Sequence, residues 1–249
     1  MTSLAPFDRI AGSYDTLWTK SDVGRAQREA VWRVIDRMFQ PGDKVLDVGC
    51  GTGEDAVHLG HRRIHVSAID ASGEMVRMAS SRGVAATQLA AEELDRIRAT
   101  YDGALSDFGV LNCTANLPMI ASSLARLVRP GGYAAICLLN RTCAWEIAWF
   151  GLRLHVRTAL RRMRRGGVLS SLGLWVHYPS AREVRRAFEP AFELVQSRGV
   201  GVFVPPSYVS LPTRMVRLTV EADALLGGLA MLRTLGDHRL YVFRRRPAC

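Results

Sequence analysis

Val45-Leu46-Asp47-Val48-Gly49-Cys50-Gly51-Thr52-Gly53 reads as a buried strand that runs straight into a glycine-rich turn and then a helix. Glycines in such a turn take up positive φ and let a ligand approach the backbone, while the following helix offers unpaired N–H groups at its start. A G-x-G spacing alone also meets the needs of any tight strand-to-helix turn. The next strand narrows the reading: Ala68-Ile69-Asp70 ends in an acid about 20 residues after the turn, placed to accept hydrogen bonds from a ribose diol. Strand, turn and acid together specify a nucleoside-bearing ligand.

Outward from this unit, short apolar runs alternate with amphipathic stretches, the pattern of a parallel sheet with crossover helices. Strands are predicted at 44–48, 64–69, 84–89, 101–106, 132–139, 192–196 and 240–243, and helices at 54–59, 73–82, 116–128 and 181–188. A leading amphipathic helix over 24–39 ends at the Pro41-Gly42 breaker. The expected fold is α/β, a seven-stranded mostly parallel sheet with helices on both faces, in a single domain over 1–249: an N-terminal helical segment (1–43), a ligand-binding core (44–139) and two long connections (140–180 and 199–238). Both connections exceed the usual two to six residues. They leave the carboxyl ends of the fifth and sixth strands, where ligands bind in doubly wound sheets, so they are expected to form a cap over the site.

The 249 residues carry 48% apolar side chains and a net charge of +10. The apolar runs fall far short of the ~20 residues that a spanning helix requires, and Asp8 and Arg9 interrupt any apolar leader, so a cytoplasmic location is expected. Five cysteines (Cys50, Cys113, Cys137, Cys143, Cys249) lack a C-x-x-C spacing and read as reduced, mostly buried thiols rather than disulfides or a zinc site. His58, His61 and His65 straddle a helix end and a strand start, so no metal site is expected. The positive charge is local: no acid stands between Glu146 and Glu183, where Arg153, Arg157, Arg161, Arg162, Arg164, Arg165 and Arg182 fall.

Further motifs occur in a fixed order. Ile69-Asp70-Ala71-Ser72 is followed by Met75, Tyr101-Asp102 opens the fourth strand, and Leu127-Val128-Arg129-Pro130-Gly131-Gly132 precedes the fifth. With Val45–Gly53 they resemble class I methyltransferases, which are Rossmann-like and use S-adenosyl-L-methionine. The opening Phe7-Asp8-Arg9-Ile10-Ala11-Gly12-Ser13-Tyr14-Asp15 is similar to the F-D-x-x-A-x-x-Y-D start of the small-molecule and quinone-biosynthesis branch. The resemblance covers residues 7 to about 140 and is specific: dinucleotide dehydrogenases carry a third glycine where Glu54 stands here.

The resemblance implies a cofactor site position by position. Gly49, Cys50 and Gly51 would pass under the methionine portion, with Asp47 holding its ammonium directly or through water. Asp70 would bind the ribose hydroxyls, Ala71 and Met75 would line the adenine, and Ala91 and Glu92 would flank its edge. Ala90 stands where the family usually has an aspartate. Ser106 and Asp107 would lie near the sulfonium, and Tyr14 would close over the cofactor. Asp15 and Asp102 are read as caps of local turns.

Methyl transfer from a sulfonium is an in-line displacement, for which alignment and exclusion of water do much of the work and a general base is optional. Candidate proton acceptors or orienting groups are His177 and Tyr178 before Pro179, His238 after Gly236-Asp237, and Asn112 after the fourth strand; a residue of this kind is more often a structural hydrogen bonder than a base. The segment from Trp145 to Arg161 is predicted as one helix with Arg153, Arg157 and Arg161 at i, i+4 and i+8 on one face, opposite Trp145, Trp149 and Leu152. A cap over the substrate cavity is the reading adopted. Peripheral contact with an anionic membrane and docking of an acidic substrate or carrier stay open. The apolar insertions point to a small, hydrophobic acceptor: a polyketide, terpenoid, quinone or lipid-like metabolite. An RNA methyltransferase would suit the basic charge, but the fourth strand ends in Ser106-Asp107-Phe108-Gly109 rather than N/D-P-P-Y/F, so no nucleic-acid partner is expected. A cyclase or cofactor-binding regulator on the same fold is the other alternative.

Overall fold

Lys44–Val48 (β1) is an interior strand of the sheet, paired in parallel with His65–Asp70 (β2) on one side and Tyr101–Ser106 (β4) on the other. A strand in that position is covered on both faces, so an unbroken apolar run with Asp47 as its one acid is what the position selects. Its side chains alternate between two cores: Leu46 and Val48 point to one, Val45 to the other. The computed structural model describes residues 6–209 and 212–247; Cys249 and two residues of the second insertion, 210 and 211, lie outside them.

Ala85–Gln88 (β3) and Val128–Leu139 (β5) complete a parallel set, and Phe192–Val200 (β8) and His238–Arg245 (β9) extend it in the order β3-β2-β1-β4-β5-β9-β8. β9 runs antiparallel to both its neighbours, which leaves β8 parallel to β5 and puts the carboxyl ends of β1, β2, β4, β5 and β8 on one edge. Ala11–Tyr14 (α1), Asp22–Ile35 (α2) and Glu54–His61 (α3) precede β2, and Gly73–Ser81 (α4), Leu117–Leu127 (α5) and Ala181–Phe188 (α8) follow β2, β4 and the first insertion. α2 packs Val31 and Ile35 with Leu59 of α3 on one face, while Ile120 and Leu124 of α5 and Phe188 of α8 fill the other. Their starts are capped as the sequence dictates. Ser21 accepts from the Gly24 N–H at 2.9 Å, Ser72 from Met75 N–H at 3.1 Å, and Ser180 with Glu183 forms a capping box.

The seven strands and the crossover helices are those expected; several bounds differ. β5 begins at Val128 rather than 132, and β8 and β9 run past the predicted 192–196 and 240–243 because each completes its ladder against the other. The insertions contain structure that was not expected: a hairpin of Val168–Leu169 (β6) with Trp175–Val176 (β7), and the helix Thr213–Leu226 (α9).

The arginine-striped helix is corrected. Ala144–Gly151 (α6) ends at its glycine, Leu154 turns at φ 60°, and only the single turn Val156–Ala159 (α7) follows. The i, i+4, i+8 spacing therefore loses its common face. Arg153 folds back over the Trp149 ring, 3.5 Å from its centroid, while Arg161 turns inward to Glu146 at 2.8 Å. Among the described residues no helix is long and apolar enough to cross a membrane.

Candidate functional site

The glycine turn and Asp70 are one hydrogen-bonded unit. Gly51 N–H donates to Asp70 Oδ2 and Ser72 N–H to Asp70 Oδ1, both at 2.9 Å, so the acid at the end of β2 is fixed directly beside the turn after β1. Gly49 has φ 79°, and a Cβ there would strike Val110 at 2.3 Å. Gly51 has φ 54°, and a Cβ there would meet no atom within 4 Å, because that side faces open space. The open space is a cavity of about 400 Å³, within the range of small-molecule sites.

Its walls come from three places. Asp70, Ala71, Ser72, Met75, Leu89, Ala91 and Glu92 come from the segment after β2 and β3, and Asp107, Phe108, Gly109, Val110 and Cys113 from the segment after β4. The N-terminal segment lies across it: Pro6, Phe7 and Tyr14 line the cavity together with Arg28 of α2, and Leu174 joins from the first insertion. Two acids anchor that segment. Asp8 Oδ1 accepts from the Ser72 hydroxyl at 2.5 Å and from Glu74 N–H at 3.3 Å. Asp15 accepts from the Thr52 hydroxyl at 2.7 Å and pairs with Arg82, which also holds Glu54 at 2.7 Å. Asp15 thus bridges to the glycine turn and α4 instead of capping a local turn. Asp102 likewise bridges, from Lys44 N–H at 2.8 Å to Arg129 at 2.5 Å.

Charge in the cavity opposes that of the chain. Among the described residues, Glu54, Asp55, Asp70, Glu92 and Asp107 line it against the single cation Arg28, within a sequence of net charge +10. Arg28 pairs with Asp55, which also accepts from Trp32 Nε1 at 2.7 Å, and its guanidinium lies over Trp18 and Phe108 at 5.1 and 4.8 Å. Burial, reinforced by Asp55, pushes Asp107 up to about 8, and burial also raises Asp47 and Asp70 above the usual carboxylate range. Asp47 Oδ2 and Asp107 Oδ2 are buried without a nitrogen or hydroxyl donor among the described residues; Asp107 has only the weakly donating Cys137 thiol beside it. Buried carboxylate oxygens with no partner favour a cationic ligand. An ammonium and a sulfonium beside a ribose meet that requirement, so the residues fit S-adenosylmethionine. Burial pushes the Cys50 thiol up, which rules it out as a ready nucleophile.

Of the twelve residues expected around the cofactor, Tyr14, Gly49, Cys50, Gly51, Asp70, Ala71, Met75, Ala91, Glu92 and Asp107 line the cavity. Asp47 lies buried beneath it, and Ser106 is turned away, its hydroxyl donating to Val48 O at 2.9 Å. The four residues expected to handle protons are not among the lining residues. Asn112 spends its whole amide on backbone: Nδ2 donates to His177 O at 2.6 Å and Leu139 O at 3.2 Å, and Oδ1 accepts from Leu139 N–H at 2.8 Å. The His177 N–H in turn donates to Asn112 O at 2.7 Å. Tyr178 lies under Arg162, 5.5 Å from its guanidinium. His238 is buried edge-on to Phe108, and burial lowers its pKa.

Arg28 and Phe108 escaped sequence reading. The signal for Arg28 was available, since it shares the buried face of α2 with Gly24, Ala26, Gln27, Val31 and Ile35, and an arginine there needs a buried acid. Phe108, at φ 49°, carries no such mark.

The two insertions lie side by side at the carboxyl edge of β5. Arg162 is the hub: it donates to Glu146 at 3.0 Å, to Asp237 Oδ1 at 2.7 Å and to the Asp237 carbonyl at 2.9 Å. Glu146 also accepts from the Tyr208 hydroxyl at 3.2 Å, and Gln27 of α2 donates to Asp237 at 3.3 Å. Among the described residues, the first insertion reaches the cavity through Leu174, while the second packs on α2 and on its neighbour.

A family model described as a methyltransferase domain matches residues 23–196. A malonyl-[acyl-carrier protein] O-methyltransferase of Pseudescherichia vulneris is 30% identical over 205 residues, 79% of this chain and 78% of that one. A demethylmenaquinone methyltransferase of Symbiobacterium thermophilum is 31% identical over 166 residues, 62% of this chain and 65% of that one. In fold, a SAM-dependent methyltransferase of Thermotoga maritima superposes with a TM-score of 0.62 at 15% identity, over 97% of this chain and 98% of that one. The chain belongs to the class I S-adenosylmethionine-dependent methyltransferases.

Proposed function

We propose that this enzyme transfers the methyl group of S-adenosylmethionine to a small apolar metabolite, of polyketide, terpenoid, quinone or lipid-like character. The observation that carries the reading is the part of the lining that follows Asp107, where Phe108, Gly109, Val110 and Cys113 are joined by Leu174. These residues offer apolar contact to an acceptor, and Arg28, which lies over Phe108, is already paired with Asp55 rather than free to grip a phosphate backbone.

When bound, the cofactor supplies an electrophilic methyl group on a positively charged sulfur. Asp70 would accept from the ribose hydroxyls, Ala71, Met75, Ala91 and Glu92 would hold the adenine, and Gly49, Cys50 and Gly51 would hold the methionine portion. Asp47 and Asp107 would supply negative charge to its cationic centres, and Arg28 would supply the counter-charge for its carboxylate. Tyr14, whose phenol burial pushes up to about 12, stays protonated and donates a hydrogen bond rather than serving as a base. Catalysis rests on alignment and on exclusion of water by the N-terminal segment and Leu174. In this reading 140–180 and 199–238 are a cap on one domain, in which the first insertion contacts the acceptor and the second braces the first through Arg162. His177, Tyr178, His238 and Asn112 then hold the cap in place.

The test is incubation with methyl-labelled cofactor and a panel of apolar acceptors. The expected result is a labelled product with an equal amount of S-adenosylhomocysteine. Label in RNA and not in the panel would replace the substrate class, and conversion of an acceptor without S-adenosylhomocysteine would replace methyl transfer by cyclisation.

A further inference from the structure

The stretch from Leu152 to Trp175 combines three features. It contains no acid. Its turns expose aliphatic side chains rather than burying them: Leu152 and Leu154 are each 85% exposed, with Val156 and Leu160 also in solvent. Arg153, Arg157, Arg164 and Arg165 are interleaved with them and exposed. At its end, Leu169 and Trp175 face each other across the β6–β7 hairpin and are each 56% exposed, so one face of the hairpin is an apolar pair open to water. The adjacent residue, Leu174, lines the cavity.

We propose that residues 152–175 dock on an anionic lipid bilayer, with Leu169 and Trp175 seated at the headgroup boundary and the cavity opening beside them. Aliphatic side chains projecting between arginines match a surface that offers negative charge at its face and hydrocarbon just below. A nucleic-acid surface would reward the arginines and leave four exposed aliphatic residues unused. Trp175 suits the boundary, where an amphipathic ring is favoured. Leu174 places the apolar wall of the site one residue away, so an acceptor dissolved in the membrane reaches the cavity without crossing water. This last role rests on the apolar-acceptor reading above; lipid binding does not.

Vesicle sedimentation tests the docking without any acceptor. The purified enzyme is mixed with vesicles of phosphatidylcholine alone or with half phosphatidylglycerol, at low and physiological ionic strength. We expect partition onto the anionic vesicles only, lowered at least about tenfold in the R153Q/R157Q/R164Q/R165Q variant and again at least about tenfold in L152S/L154S. Both variants alter exposed residues, so melting temperature and calorimetric affinity for S-adenosylmethionine are expected to stay at the parent value. Trp175 emission, isolated as the difference between parent and W175F, is expected to shift to the blue on anionic vesicles. Failure of the parent to sediment with anionic vesicles overturns the proposal, as does L152S/L154S binding like the parent. Tight RNA binding that depends on the arginines and ignores the leucines assigns the surface to nucleic acid instead. Lipid binding with no methylation of apolar acceptors leaves the docking standing and removes the functional reading alone.

Discussion

The Gly51 N–H donates to Asp70 Oδ2 at 2.9 Å, so the turn after β1 and the acid closing β2 are positioned by each other before any ligand arrives. Replacing Asp70 by alanine removes the ribose acceptor and frees the turn at once. Affinity for S-adenosylmethionine, read by calorimetry, is expected to fall at least about tenfold, in keeping with the ~1.5–3 kcal/mol of hydrogen bonds to a charged group. Gly51→Val is expected to weaken binding as much for another reason: its Cβ would meet no protein atom within 4 Å, so the side chain would project into cavity space at a strained φ. Parent-like affinity in both folded variants would show that the cofactor lies elsewhere.

Cofactor affinity should depend on pH through Asp107. Burial, with Asp55 beside it, raises its pKa to about 8 in the free enzyme, so near pH 7 the carboxyl is mostly protonated. A cation bound beside it favours the carboxylate, and binding therefore releases a proton. The association constant should climb with pH up to the free-enzyme pKa and level off above it, by at most about tenfold per pH unit. Calorimetry in buffers of different ionisation enthalpy measures the released proton directly. The Asp107→Asn variant is expected to flatten the profile, and a flat parent profile would refute the coupling.

Arg162 is expected to matter more for stability than any exposed arginine near it. Its side chain is 7% exposed and is shared between Glu146 and Asp237, and removing one partner of a buried pair costs about 3–5 kcal/mol. For a chain of this size Arg162→Met should lower the melting temperature by roughly 6 to 20 °C. Arg153→Gln, on the surface, should change it by no more than about 2 °C. Equal effects in calorimetric melts would remove the hub.

The N-terminal segment is held to the site by Asp15, whose carboxyl Thr52 and Arg82 keep below its ordinary pKa against the effect of burial. Arg82→Gln should loosen the segment, speeding dissociation of S-adenosylmethionine severalfold in stopped-flow measurements and exposing residues 6–19 to protease. A variant that melts earlier but releases cofactor at the parent rate would make the contact purely structural.

What was legible in the sequence is what local pattern encodes. β1, the glycine turn and Asp70 announce themselves because burial on both faces, positive φ and a carboxylate at a strand end each demand particular residues at fixed spacing. The inward turn of Arg161 and Arg162 was not legible. A four-residue spacing of arginines looks the same whether they face water or a buried glutamate: Arg161 turns to Glu146, 15 residues back, and Arg162 also reaches Asp237, 75 residues on. The end of α6 turns on Leu154 adopting a positive φ, a conformation leucine does not advertise. His177, Tyr178, His238 and Asn112 were chosen for chemistry and position along the chain; only three-dimensional packing reveals that the Asn112 amide is already fully engaged.

β9 lies between β5 and β8 in the sheet yet follows both in the chain. On the ribosome, β1 to β5, the glycine turn and Asp70 are all available before residues 238–245 are made, but β5 and β8 must each wait with an open edge until then. Helices such as α2 can form locally within microseconds, whereas this closure joins segments about 100 residues apart, the slow kind of contact. Unpaired strand edges invite pairing with other chains. The nascent protein therefore spends its most aggregation-prone interval just before β9 slides into the gap, and a truncated message ending before residue 238 would yield a chain that never leaves that state.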